Sequence, residues 1–168
     1  MPRIGLISDT HGLLRPQALA ALSGCARIVH AGDVGDAALL DALAAIAPVT
    51  AVRGNNDAGG RAGGLPMTAD FVAGAVRLHV LHDIADLDFD PVAAGVRVVI
   101  SGHSHKPSIE ERNGVLFVNP GSAGPRRFRL PLTVALLEID GSAVFARIID
   151  LAVPTGAAPG QPARRATN

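Results

Sequence analysis

Five short apolar runs in the first 105 residues each end in side chains able to hold a metal. Residues 3–8 lead into Asp9 and His11, Arg27–His30 into Asp33, 48–52 into Asn55, Val76–Leu81 into His82, and 96–100 into His103 and His105. Runs of this length, rich in branched residues, read as buried strands. The segments Pro16–Leu22 and 36–46 between the first three have helical spacing, the second with Leu39, Leu40, Leu43 and Ile46 on one face. Strand, helix and strand in alternation argue for parallel pairing in an α/β fold. In such folds ligands bind beyond the carboxyl ends of the strands, so seven metal-competent side chains can converge on one edge. Gly102 before His103 lets that loop turn two imidazoles toward one cavity.

The rest of the chain reads as strands and turns. Residues 58–64 are glycine-rich and fit a flexible rim or lid, and 70–72 with 76–81 form two strands turning at Gly74 and Ala75. Three aspartates within 86–90 suit a solvated loop, and helical signal over 91–94 is weak. An Asn113–Gly114 turn joins strands 108–111 and 115–118, and Asp140–Gly141 joins 132–139 and 143–149. The expected organisation is one domain, 1–150, with a loosely held tail, 151–168, of Pro, Gly, Ala and Arg.

Composition removes several function classes. The 168 residues carry 15 basic and 15 acidic side chains, so no global field draws the chain to nucleic acid or an anionic membrane. Five Phe and no Trp or Tyr leave no base-stacking platform, so extended nucleic acid is not an expected partner. A single cysteine, Cys25, excludes an internal disulfide and fits a buried thiol. With no signal peptide and no apolar run near the roughly 18 residues of a membrane span, a cytoplasmic location without membrane contact is expected. A homo-oligomer is compatible with all of this.

Taken in order, DTH at 9–11, GD at 32–33, GNND at 54–57, His82 and GHSH at 102–105 resemble the calcineurin-like metallophosphoesterase superfamily. The short chain and NPGS at 119–122 resemble its small YfcE-like phosphodiesterase branch over residues 1–150. The resemblance implies a four-layer αββα sandwich of two mixed β-sheets packed face to face with flanking helices. It implies one metal held by Asp9, His11, Asp33 and His105, and another by Asp33, Asn55, His82 and His103. Asp33 then bridges, as a carboxylate with two oxygens can and an imidazole with one free nitrogen cannot. The implied activity is dinuclear hydrolysis of a small phosphodiester by a metal-bridging hydroxide. Mn²⁺ is the expected cofactor, with Fe, Ni, Co and Zn as alternatives. The competing readings are a phosphomonoesterase or nuclease of the same superfamily, and a non-catalytic protein-binding scaffold like the eukaryotic trafficking subunit Vps29.

Two positions depart from the pattern. Asn56 stands where many members carry a histidine proposed to protonate the leaving group, and an amide cannot supply a proton. Position 56 is therefore a catalytic and substrate-binding candidate of altered chemistry. Asp57 beside it is a catalytic candidate whose simpler reading is to orient the loop. Asp83 follows His82 where glycine is expected, and can accept a histidine N–H or point to solvent. Arg126 and Arg127 follow NPGS and can approach a phosphate, Arg126 being taken as the substrate contact. His30 and His79 read as structural, and Ser122 as loop support.

Overall fold

The computed structural model describes residues 1–154; residues 155–168, most of the expected tail, lie outside the described residues. The branched runs form β1 (Arg3–Ile7), β2 (Arg27–His30) and β3 (Val49–Ala51), linked by α1 (Pro16–Leu22) and α2 (Ala38–Ala44). These three strands pair in parallel, and β9 (Thr133–Asp140) and β10 (Ala143–Asp150) complete the sheet in the order β10-β9-β1-β2-β3. A second sheet is built from β4 (Thr68–Ala73), β5 (Val76–Leu81), β6 (Val98–Ile100), β7 (Ser108–Arg112) and β8 (Val115–Asn119), ordered β4-β5-β6-β8-β7. Its inner strands β5, β6 and β8 are parallel, and β4 and β7 run antiparallel at the edges. Both sheets are mixed, and their inner faces meet in a core of Leu6, Val29, Leu78, Val80, Ile100 and Leu137.

On the outer face of the first sheet, α1 and α2 bury Leu22, Leu40 and Leu43 against Ile7, Ile28 and Val134. Leu151, just beyond the expected boundary at 150, is 5% exposed in the same core. The outer face of the second sheet carries a thinner layer. A 3₁₀ turn, Ile84–Asp86, and the chain after it set Leu87 and Phe89 on Leu81 and Val99. Asp83 and Asp90 accept from backbone N–H groups two residues on, local turns that compete with a longer helix. The same device shortens α2 relative to 36–46, because Asp36 accepts from the Ala38 N–H. The glycine-rich stretch expected as a loop contains a short helix, α3 (Gly60–Gly63), with Ala62 buried. The Asn113–Gly114 turn has positive φ at both positions, 51° and 77°, the geometry that Asn-Gly supports. Among the described residues no helix is long and apolar enough to cross a membrane.

Candidate metal centre

The carboxyl ends of β1, β2 and β3 in one sheet, and of β5 and β6 in the other, lead into the same cleft. The backbone bends sharply to put ligands there. Asp9 (φ 55°), His11 (47°), Asp33 (54°), His103 (67°) and His105 (60°) all occupy the left-handed region. Each such residue costs roughly 1–2 kcal/mol, so five together require loops held from outside. Gly54 and Gly102 allow the close approach: a Cβ at Gly54 would overlap the Asp33 carboxylate, and one at Gly102 the Ser8 hydroxyl.

Two clusters of donor atoms result. In the first, Asp9 Oδ1 lies 3.3 Å from His105 Nε2, and His105 Nε2 lies 3.4 Å from His11 Nε2. In the second, Asn55 Oδ1 lies 3.0 Å from His82 Nε2 and 3.1 Å from His103 Nδ1. Asp33 Oδ2 stands between them, 3.7 Å from His11 Nε2 and 3.4 Å from His82 Nε2. Asp9 also reaches both, since Oδ1 is 3.9 Å from His82 Nε2. Ligating atoms of Asp9, His11 and His105, and of Asp9, Asp33 and His82, each fall within 4.8 Å of one another. All seven residues expected as ligands are thus brought together.

The donor set fits a cation. Asp9 Oδ2 accepts from the Ser8 hydroxyl at 2.8 Å and the His103 N–H at 3.1 Å, but Oδ1 is buried with no partner among the described residues. A buried carboxylate oxygen without a donor is costly, and a cation removes that cost. Burial raises the Asp9 pKa even against the Ser8 hydrogen bond and the neighbouring histidines. Burial would also raise Asp33, yet the contact with His82 and hydrogen bonds from the Asn56 backbone and amide hold it well below the usual carboxylate range. Burial pulls His82 down, but Asp33, the Ala31 carbonyl and Asp9 together raise it, the response of an imidazole to local negative charge.

Neighbouring groups fix the ligand orientations. His82 Nδ1–H donates to the Ala31 carbonyl at 2.7 Å, which leaves the Nε2 lone pair facing the cluster. His103 presents Nδ1 toward Asn55 while its Nε2 lies 3.5 Å from Asp83 Oδ2, so the unexpected aspartate faces a histidine expected as a ligand. His105 Nδ1 is buried with no acceptor among the described residues. Asn56 grips Asp33, its N–H at 2.9 Å from Oδ1 and its amide at 2.8 Å from Oδ2. Asp57 accepts from the backbone N–H groups of Val34, Gly35 and Gly54, tying the loop after β2 to the loop after β3. Arg126 donates to the carbonyls of Leu130 and Val153. Burial lowers the His105 pKa, Asp9 opposes this, and the positive charge of Arg127 lowers it further.

Three side chains support these loops: Ser122, read from the sequence as loop support, Asn119, which the sequence did not single out by itself, and His30, read as structural. Asn119 donates to the Gly102 carbonyl and to Ser104 Oγ, holding the GHSH loop, and Ser122 donates to the Asp9 carbonyl. His30 joins the first two loops. The Gly32 N–H donates to its Nδ1, so Nε2 carries the hydrogen and donates to Thr10 Oγ1 at 2.9 Å, whose hydroxyl donates to the Val34 carbonyl. Burial drives the His30 pKa down to about 4, in keeping with this neutral tautomer.

The profile described as the calcineurin-like phosphoesterase superfamily domain matches residues 2–142. A probable metallophosphoesterase from Methanothermobacter thermautotrophicus is 35% identical over 165 residues, covering 90% of this chain and 94% of the relative. Among solved structures, Vps29 from Cryptosporidium parvum has a TM-score of 0.78 at 21% identity, covering 93% of each chain. YfcE, a phosphoesterase from E. coli, has a TM-score of 0.67 at 24% identity, covering 89% of this chain and 93% of its own. At these identities the two structures speak to the fold alone.

Proposed function

Because this chain belongs to the calcineurin-like phosphoesterase superfamily, we propose that it is a dinuclear metal-dependent phosphodiesterase acting on a small phosphodiester. The observation that carries the reading is the pair of donor clusters meeting at Asp9 and Asp33, with one buried Asp9 oxygen unpartnered. Asp9, His11, Asp33 and His105 would hold one cation, and Asp33, Asn55, His82 and His103 the other. Two divalent cations there would activate water and neutralise phosphate charge in an in-line displacement. Their mixed nitrogen and oxygen ligands suit Mn²⁺, Fe²⁺, Co²⁺, Ni²⁺ or Zn²⁺ better than Mg²⁺ or Ca²⁺, with Mn²⁺ the first choice.

The chain's own groups mainly position. Asn56 keeps both Asp33 oxygens in place and can donate a hydrogen bond to a phosphate oxygen, but cannot protonate a leaving group. Arg127, whose charge reaches His105, supplies attraction for the anionic substrate. Two divalent cations against Asp9 and Asp33 leave surplus positive charge, which suits a diester anion. A protein-binding scaffold like Vps29 shares the fold, and metal-dependent turnover separates the two readings.

A panel of esters tests the absence of an acid at position 56. Activated aryl diesters should be cleaved much faster than alkyl diesters, because an alkoxide leaves poorly unprotonated. A positioned acid is worth about 10² to 10⁴ in rate. Asn56→His, at equal metal content, should therefore raise kcat/KM for an alkyl diester more than for an aryl diester. An unchanged alkyl-to-aryl ratio would contradict this role for position 56.

A further inference from the structure

The outer face of the second sheet holds a groove of about 610 Å³ whose lining includes His82, one of the residues expected to hold a metal. A substrate whose phosphate sits on the metals can therefore extend one arm along it. Three carboxylates line the groove, Asp70, Asp86 and Asp88, against one guanidinium, Arg53. Arg53 already donates to the Gly63 carbonyl at 3.2 Å and to Met67 Sδ at 3.0 Å.

Acidic walls alone do not make a site, but His79 adds an independent feature. It is 4% exposed, lines the groove, and is fixed by Asp70 Oδ1 at 3.1 Å from Nδ1 and by the edge of Phe89 at 4.9 Å. A carboxylate accepts, so Nδ1 carries the hydrogen, and in the neutral ring Nε2 offers a lone pair. That lone pair has no partner among the described residues and is not sealed inside the protein. The groove thus presents acceptors and negative charge, and asks for a donor with positive charge. A bare metal ion fits less well, because the convergent ligand groups among the described residues are those of the metal centre.

We propose that this groove binds the non-leaving alcohol of the phosphodiester, and that this alcohol carries a primary ammonium held by His79 Nε2 and the surrounding aspartates. The proposal rests on the diesterase reading above. It makes the enzyme selective for aminoalcohol phosphodiesters over neutral ones of equal size.

Two p-nitrophenyl diesters with one leaving group but different second arms, 2-aminoethyl and ethyl, test it on the Mn²⁺-loaded full chain. The aminoethyl diester should be favoured about tenfold or more in kcat/KM, the scale of a hydrogen bond to a charged group. The preference should fall to within about twofold in His79→Gln. It should fall likewise in the Asp86→Asn, Asp88→Asn double variant, whose changes are at exposed positions and spare the fold. Equal kcat/KM for both diesters in the unmodified enzyme would overturn the proposal while leaving the diesterase reading intact. If neither diester turns over, the diesterase reading fails, and imidazole ¹⁵N resonances of the Zn²⁺-loaded protein decide the groove. A His79 shift with 2-aminoethyl phosphate but not with ethyl phosphate supports the proposal, and no shift with either overturns it.

Discussion

At the scale of single residues, the two carboxylates that serve both clusters should behave differently from the histidines that serve one. Asp33 Oδ2 stands between His11 and His82, whereas His105 contacts only the first cluster's atoms and Asp9. Asp33→Ala should therefore weaken both metals, and His105→Ala chiefly one, as read by metal content after equilibrium dialysis. Equal losses, or two metals retained by Asp33→Ala, would refute the bridging role. The two arginines after NPGS should also separate. Arg126 is engaged with backbone carbonyls, so Arg126→Ala should cost stability, about 1–2 kcal/mol for two lost charged hydrogen bonds. Arg127 is exposed and its charge reaches His105, so Arg127→Ala should raise KM about tenfold and leave the melting temperature unchanged. Reversal of these effects would assign the phosphate contact to Arg126.

At the scale of elements, the site depends on loops fastened to each other across the sheets. His30 links the loop after β1 to the loop after β2 through Thr10 and Gly32, and it does so only when neutral. Its pKa falls from 6.5 unfolded to about 4 folded, chiefly through burial. The unfolded chain binds the extra proton, so stability due to this group is full above about pH 6.5 and is lost as pH falls toward 4. The loss should approach roughly 3 kcal/mol. Denaturant unfolding of the metal-free protein between those pH values should show His30→Gln losing less stability than the unmodified chain. Identical pH slopes would remove His30 from this role. The strands and the seven donor residues that cluster at their ends were legible because apolar period and a polar strand end are local signals. The partners of the fasteners were not, since Asn119 reaches Ser104 across 15 residues and Asp57, read as orienting its loop, reaches Val34 across 23. The helix α3 was hidden for another reason. Its glycine-rich sequence opposes helix formation, and what stabilises it is distant: burial of Ala62 and a two-pronged contact from Arg61 to Asp41 at 2.8 Å.

At the scale of the whole molecule, two sheets packed face to face bring five strand ends to one edge, three from the first sheet and two from the second. The cleft between them is a property of the sandwich, so Asp9 and His105 meet although 96 positions separate their numbers. The fold is shared with YfcE and with Vps29, and metal-dependent chemistry decides between the hydrolase and scaffold readings proposed above. Titration of the apo-protein with Mn²⁺, following hydrolysis of bis(p-nitrophenyl) phosphate, tests the dinuclear diesterase most directly. Turnover should be absent without metal, rise until about two equivalents are bound, and exceed turnover of p-nitrophenyl phosphate at saturation. Two equivalents bound with no hydrolysis of either ester, or full turnover at a single equivalent, would contradict it.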